Sequence, residues 1–325
     1  MVWSFNEYLD RVNDAVAGIC YPNEPKGLYE PIAYTMSLGG KRIRPSLVLM
    51  ASDAFGNNSH KAIAPAVGIE LFHNFTLLHD DVMDRADVRR GKPTVHMKWN
   101  ANTAILSGDA MLTMATQYIA KAPVAVMPEV MKLYNNTAME IYEGQQYDVD
   151  FESRIDVTEG EYINMIRLKT SVLLGCACKI GAIIGGARAE DAMRIYRFGE
   201  LIGLAFQLQD DLLDVYGDEK TFGKAIGGDI MNNKKTFMLI KAFELAQGQD
   251  HIELMKWINA ENPDRAEKIA AVTEIYTRSG VKKIAEERIA RYTKDALTVL
   301  EEISIDNDAK EAFRSFADML MSRTK

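Results

Sequence analysis

Cysteine is scarce in this chain of 325 residues, which holds only Cys20, Cys176 and Cys178. Three unevenly placed cysteines cannot form a disulfide framework, and the single residue between Cys176 and Cys178 is not the spacing of a zinc knuckle. A reducing compartment, the cytoplasm, is therefore expected. Long hydrophobic runs are missing too: the best stretch, 172–184, is cut by Lys179 and falls short of the roughly 20 apolar residues that a spanning helix needs. Residues 1–10 lack a basic stretch leading into an apolar run, which predicts no signal peptide. Positive charge is in deficit, and a net charge of -8 argues against a nucleic-acid binder. Any anionic partner would have to be captured by locally placed bases or by metal. Strand-like alternation of apolar and polar residues is nowhere sustained.

Apolar residues make up 47% of the chain against 26% charged, enough to bury a sizeable core beneath a solvated surface. Proline and glycine gather in short punctuating clusters at 21–27, 56–59, 89–93, 185–188, 217–233 and 261–264. Between them lie long segments rich in Ala, Leu, Met, Glu and Lys. Their apolar residues recur at helical spacing, as in Leu201, Leu204, Ala205, Leu208, Leu212 and Val215. No Pro/Ser-rich linker divides the chain and no fixed period of 20 to 50 residues repeats. The reading is an all-α protein with a single domain over residues 1–325.

Two acidic clusters stand out, each at the end of an apolar-periodic helix. In the first, Asp80 and Asp84 lie one turn apart with Asp81 beside them, so three carboxylates are expected to share one volume. Like charges that close raise one another's pKa, and a divalent cation removes the conflict. Oxygen-only ligation suits Mg²⁺, which keeps several waters and takes phosphate oxygens into its shell. In the second, Gln207, Asp211 and Asp214 share a face with Asp210 at its edge. One such cluster could be a solvated helix end, although carboxylates there oppose the helix dipole. Two on separate helices favour a site that holds one diphosphate between them.

Bases fall where such a site needs them. Gly39 and Gly40 precede Lys41, Arg42 and Arg44; glycine lets backbone N–H groups approach an anion, and Lys and Arg supply charge and forked donors. His73 lies on the same helical stripe as Asp80 and Asp84. Arg89, Arg90, Gly91 and Lys92 form the turn after the first cluster, and Lys169 and Thr170 sit on a segment of their own. The stretch 217–233, with Lys224 between glycines and Lys234 just beyond, is either a flexible connector or a lid over a bound anion.

The whole constellation, from Gly39-Gly40-Lys41-Arg42-Ile43-Arg44-Pro45 through His73, Asp80-Asp81-x-x-Asp84, Arg89-Arg90-Gly91 and Lys169-Thr170 to Gln207-x-x-Asp210-Asp211-x-x-Asp214, resembles the trans-isoprenyl diphosphate synthase family. The match covers residues 39–236. It implies a helical bundle around a deep central cavity of the isoprenoid synthase type, usually a homodimer, that joins an allylic diphosphate to isopentenyl diphosphate head to tail. About three Mg²⁺ ions per site are implied as cofactors. Carried over by position, Asp80, Asp84, Asp210 and Asp214 resemble the metal ligands, with Asp81 and Asp211 completing the catalytic clusters. Lys41, Arg44, His73 and Arg90 match the isopentenyl diphosphate site. Arg89, Lys169, Thr170, Gln207, Lys224 and Lys234 match contacts to the allylic diphosphate, Lys169 and Lys224 among the catalytic groups. Asn233 departs from the family, which usually has glycine before the lysine, and this puts Lys234 in question.

In this family the residues upstream of the first cluster form the floor that limits product length. Phe75 lies five positions before Asp80, Thr76 four and Phe72 eight, with no insertion inside 80–84. That pattern resembles archaeal-type geranylgeranyl diphosphate synthases, C20, more than farnesyl synthases, C15. By periodicity alone Phe75 is ordinary core packing. Other readings fit less well. A terpene cyclase normally replaces the second aspartate cluster with an Asn/Ser/Glu motif. A His-Asp phosphohydrolase would need more histidine ligands than the four that remain beyond His79. A non-catalytic partner subunit would be free to lose its clusters, and both are whole.

Overall fold

A computed structural model describes residues 3–218 and 226–322. Those residues form helices almost throughout, as the periodicity predicts, with one two-stranded ribbon among them. Helix starts follow local chemistry. Ser4 caps α1 (Phe5–Ala17) in a capping box with Glu7, and Thr158 does the same with Glu161 at α8 (Glu159–Ile166). Asn100 accepts the N–H of Thr103 at the start of α6 (Ala101–Ile119).

The chain resolves into two compact units. The first comprises Met1–Asn136, Cys176–Tyr196 and Ile303–Ala312; the second comprises Thr137–Gly175, Arg197–Glu302 and Phe313–Lys325. Four of the five divisions fall inside helices, where the sequence offers no linker; the fifth, after Glu302, falls between two helices.

In the first unit, α2 (Lys26–Ser37), α3 (Ile43–Gly56) and α6 pack around α4 (Ser59–Met83). This helix is apolar on more than one face: Ala66, Val67, Ile69, Leu71, Phe72, Phe75 and Leu78 are all buried, the pattern of a helix enclosed by others. Its far end carries the first aspartate cluster. A short hairpin follows, β1 (Val88–Arg89) pairing antiparallel with β2 (Lys92–Pro93). Arg90 (φ 53°) and Gly91 (φ 73°) make its turn, both in the positive-φ conformation that suits a tight two-residue hairpin. The short α5 (Val95–Lys98) leads into α6.

In the second unit, the end of α7 (Met127–Glu152), α8, and most of α10 (Ala189–Tyr216) share a core with α12 (Phe237–Leu245), α13 (Gln249–Ile258), α14 (Arg265–Arg278) and α15 (Val281–Glu301). The six residues singled out by spacing on α10, from Leu201 to Val215, are all buried. A single turn, α11 (Gly228–Met231), and α16 (Asn307–Met321) complete the helices.

One segment departs from α-helical expectation. Residues Arg167–Ser171 wind as a π-helix between α8 and α9 (Val172–Gly185). The wider turn lies against two glycines: a Cβ on Gly144 would sit 2.4 Å from the backbone N of Lys169, and one on Gly203 would sit 2.7 Å from Cα of Ser171. The helical run Glu159–Gly185 is long and apolar enough to cross a membrane by length and composition, which corrects the expectation that no stretch qualifies, and 83% of its apolar window is buried within the protein. All three cysteines are free.

Candidate active site

The first unit gathers bases from four elements. In the loop before α3, Gly39 (φ 76°), Gly40 (φ 138°) and Arg42 (φ 46°) all take left-handed backbone conformations. That bend turns Arg42 inward. Its guanidinium donates to the Glu70 carboxylate and, at 2.8 Å, to the carbonyl of Met36, and the two side chains of the ion pair are only 3% and 2% exposed. Asn74 Nδ2 holds the same carboxylate at 2.8 Å. Of the three bases in the motif, Arg42 is therefore an internal strut. Lys41 is exposed, and Arg44 reaches His73, Nη1 to Nε2 at 3.3 Å. Arg90 joins them from the hairpin by donating to the carbonyl of Gly39. A Cβ on Gly40 would meet the Arg90 guanidinium at 2.8 Å and would displace it, and the φ of 138° itself favours glycine there.

The electrostatics follow from this crowding. Burial, then the guanidinium groups of Arg44, Arg90, Arg89 and Arg42, push the His73 imidazole well below its ordinary pKa. His73 is thus neutral near pH 7, and its Nε2 accepts the proton of Arg44. Burial pulls Arg44 itself down to about 10.

The aspartates of the first cluster split by role. Asp81 is buried and takes Nε of Arg89 on both oxygens, at 2.8 and 2.9 Å, with Nη2 of Arg89 at 2.7 Å. Burial raises its pKa and Arg89 opposes the rise. Asp80 is half-buried, and Asp84 is exposed at the end of α4. Three carboxylates in one volume are not found: among the described residues no three His, Cys, Asp or Glu side chains converge on one point. Successive helical residues diverge by about 100°, and Arg89 captures the one that turns inward. The donor set still fits Mg²⁺, which needs only one or two carboxylates beside water and phosphate oxygens.

Upstream on α4, the Phe72 and Phe75 ring centroids are 5.6 Å apart. Phe72 meets Tyr134 edge-on at 5.4 Å and Phe75 meets His79 at 4.8 Å. Thr76 turns its hydroxyl back to the carbonyl of His73. His79 approaches α6 where a Cβ on Gly108 would lie 2.2 Å from its ring, and its Nε2 is 3.1 Å from the carbonyl oxygen of Ile105.

The second unit repeats the division. Asp211 is buried, accepts from the hydroxyl of Tyr162 and from Gln207 Nε2 at 3.2 Å, and is pushed up to about 7 by burial and then by the Asp229 charge. Thr170 Oγ1 donates to Gln207 Oε1 at 3.2 Å, so the π turn is wired to the cluster. Asp214 is buried and accepts the N–H of Asp229 at 3.0 Å, while Asp210 is half-buried. Lys169 Nζ donates to Asp148 at 2.7 Å, and Lys234 Nζ lies 3.8 Å from the same carboxylate. Burial would raise Asp148, but Lys234 and Lys169 outweigh it and hold the carboxyl below its usual range. Lys224 lies outside the described residues.

A Polyprenyl synthetase family model matches residues 25–276. The chain belongs to the polyprenyl synthetase family. Members are prenyltransferases and use Mg²⁺. This prenyltransferase is 44% identical over 236 residues to a geranylgeranyl diphosphate synthase of Methanosarcina mazei, covering 72% of each chain. It is 37% identical over 318 residues to a short chain isoprenyl diphosphate synthase of Methanothermobacter thermautotrophicus, covering 97% of this chain and 94% of that one. A crystal structure of a geranylgeranyl pyrophosphate synthase superposes with a TM-score of 0.91 at 45% identity, covering 98% of both chains. Sequence reasoning about this synthase missed Glu70, Asp148 and Tyr162, each of which fixes a candidate site residue.

Proposed function

We propose that this protein is a short-chain all-trans prenyl diphosphate synthase whose main product is geranylgeranyl diphosphate, C20. The observation that carries the reading is a pairing that occurs twice: a half-buried aspartate, Asp80 or Asp210, beside a buried one, Asp81 or Asp211, held by its neighbours. The pattern of Phe75 and Thr76 and the relatives named for C20 products support the chain length. Another relative, from Natronomonas pharaonis, is named a geranylfarnesyl diphosphate synthase and is 35% identical over 333 residues. The whole chain acts as one synthase domain, in the cytoplasm and as a homodimer. Ile105 and Leu106, exposed on α6, support the last point.

In the reaction the C1–O bond of the allylic diphosphate breaks, leaving an allylic cation and diphosphate. The double bond of isopentenyl diphosphate attacks C1 to form one C–C bond, and the proton lost from C2 passes to the departing diphosphate. No side chain serves as general base. Lys41, Arg44 and Arg90 hold isopentenyl diphosphate by charge, and neutral His73 fixes the orientation of Arg44. Lys169 and Lys234, spaced by Asp148, meet the allylic diphosphate with Arg89, Thr170, Gln207 and Lys224. Asp80, Asp84, Asp210 and Asp214 would hold about three Mg²⁺ ions, which stabilise charge growing on the leaving group. Phe72, Phe75 and Thr76 form the floor beneath the growing chain.

Incubation with isopentenyl diphosphate, Mg²⁺ and dimethylallyl, geranyl or farnesyl diphosphate, followed by chromatography, tests the reading. A C20 product is expected. A series that stops at C15 or runs on to C25 would overturn the chain length, and the absence of any prenyl product would overturn the function. Phe75→Ala should lengthen the product by at least one isoprene unit, because the ring fills space beneath the chain; an unchanged product would remove Phe75 from the floor.

His73 gives a prediction with a defined sign. The folded protein keeps His73 neutral, whereas the unfolded chain binds a proton there below about pH 6.5. Acidification through that value therefore favours unfolding. Thermal melts from about pH 7.5 to about pH 5.5 should show a smaller loss for His73→Gln than for the wild type. Equal losses would show that His73 protonates freely in the fold.

A further inference from the structure

Lys268 is 1% exposed, although lysine is among the residues least often fully buried. Among the described residues no ion pair joins it to a carboxylate. Its ammonium instead donates to the Asn233 side-chain oxygen at 2.8 Å and to the carbonyl of Met231 at 3.2 Å. A charge buried against neutral acceptors contributes little to a core that a methionine of similar length would fill. The acceptors, however, belong to the segment that carries Lys234.

Asn233 is where this chain departs from the glycine its family resemblance leads one to expect. Its φ of 49° lies in the left-handed region, which asparagine tolerates better than most residues. The backbone requirement that glycine would meet is thus still met. Asparagine adds what glycine cannot, because its Oδ1 receives Lys268 and its Nδ2 donates to the carbonyl of Ile258 at 3.0 Å. The residue is pinned from α14 on one side and from the end of α13 on the other. Immediately after it, Lys234 donates its N–H to the carbonyl of Asp229 at 2.9 Å, and its ammonium stands 3.8 Å from Asp148.

The same helix holds the start of this segment. Arg265 donates to the carbonyl of Ile226 at 3.0 Å, and Ile269 lies where a Cβ on Gly227 would be, 2.6 Å away. The segment in turn binds Asp214, through the N–H groups of Gly227 and Asp229. One face of α14 therefore spans the distance from the second aspartate cluster to Lys234.

We infer that Lys268 and Asn233 form a positioning pair that sets the Lys234 ammonium for the allylic diphosphate, a role that rests on the reading of Lys234 proposed above. Neither residue touches substrate. Both act through the backbone on which Lys234 is mounted, so their loss moves affinity for one substrate and leaves the other alone.

Steady-state kinetics on the full chain with both substrates, together with thermal melts, would test the pair in Lys268→Met, Asn233→Gly, the double variant and Lys234→Ala. Lys268→Met should raise KM for the allylic diphosphate about tenfold, the scale of one hydrogen bond to a charged group, with KM for isopentenyl diphosphate unchanged. Asn233→Gly keeps the backbone conformation and should do the same. The double variant should be no worse than the more affected single variant, since both remove one link. If Lys268→Met fails to fold, Asn233→Gly carries the test alone. Multiplying effects in the double variant, or both KM values rising in step with a lowered Tm, would overturn the pair. If Lys234→Ala raises the allylic KM and the other variants do not, only the pair fails; if Lys234→Ala is silent, the reading of Lys234 fails and the pair with it.

Discussion

Asp80→Ala should lower kcat on the order of 1,000-fold while leaving Tm within a few degrees of the wild type, and Asp210→Ala should behave alike. The size of the effect comes from the division of labour within each cluster. If Asp81 could turn to replace Asp80, the loss would be mild. It cannot do so cheaply, because Arg89 takes Asp81 through Nε and Nη2, and leaving would strand a half-buried guanidinium. Asp211 is committed to Tyr162 and Gln207 in the same way. Each cluster thus has no spare carboxylate for the position its half-buried member fills. Product formation with isopentenyl diphosphate, an allylic diphosphate and Mg²⁺ measures the outcome. An unchanged yield from Asp80→Ala would sink the catalytic assignment.

The second large effect is on stability. Glu70→Gln keeps the shape of the side chain and removes its charge, leaving Arg42 as an uncompensated cation 3% exposed. Removing one member of a buried ion pair costs about 3–5 kcal/mol. Calorimetry should therefore show Tm lowered on the order of 5–10 °C. Replacing both partners by apolar residues, Arg42→Met with Glu70→Leu, should recover much of that loss, because no charge is then left buried. The recovered protein should still be a poor enzyme. Arg42 holds the left-handed bend that sets Lys41 and Arg44, and a methionine has no reason to stay at a φ of 46°. Failure of the single change to lower Tm would mean that water reaches the pair.

The sequence revealed the helices through spacing alone, as Leu201 to Val215 illustrate, because a buried face must repeat with the helical turn. For the same reason it placed His73 on one helical stripe with Asp80 and Asp84, but not that His73 is surrounded by Arg44, Arg90, Arg89 and Arg42. The partners of these residues were not legible. Glu70 binds Arg42 from 28 residues away, Asp148 binds Lys169 from 21, and Tyr162 binds Asp211 from 49. Periodicity reports which face a residue occupies and says nothing about what the opposite wall supplies. Arg42 was the hardest case, since it sits among bases that face an anion and itself faces the core. Its direction depends on a backbone bend with positive φ at Gly39, Gly40 and Arg42 itself, which a motif read as letters does not show.

The π turn at Arg167–Ser171 amounts to one residue too many in an otherwise continuous helix. Removing that residue would restore regular winding, but every side chain beyond it on α9 would rotate by about 100°. Either Lys169 and Thr170 would leave Asp148 and Gln207, or Leu173, Leu174 and Cys176 would leave the core. Gly144 and Gly203 are the clearance for that extra residue. Length in this stretch is consequently under tighter restraint than composition: a substitution at Leu173 alters one contact, whereas a single deletion between 167 and 171 forces a choice between chemistry and packing.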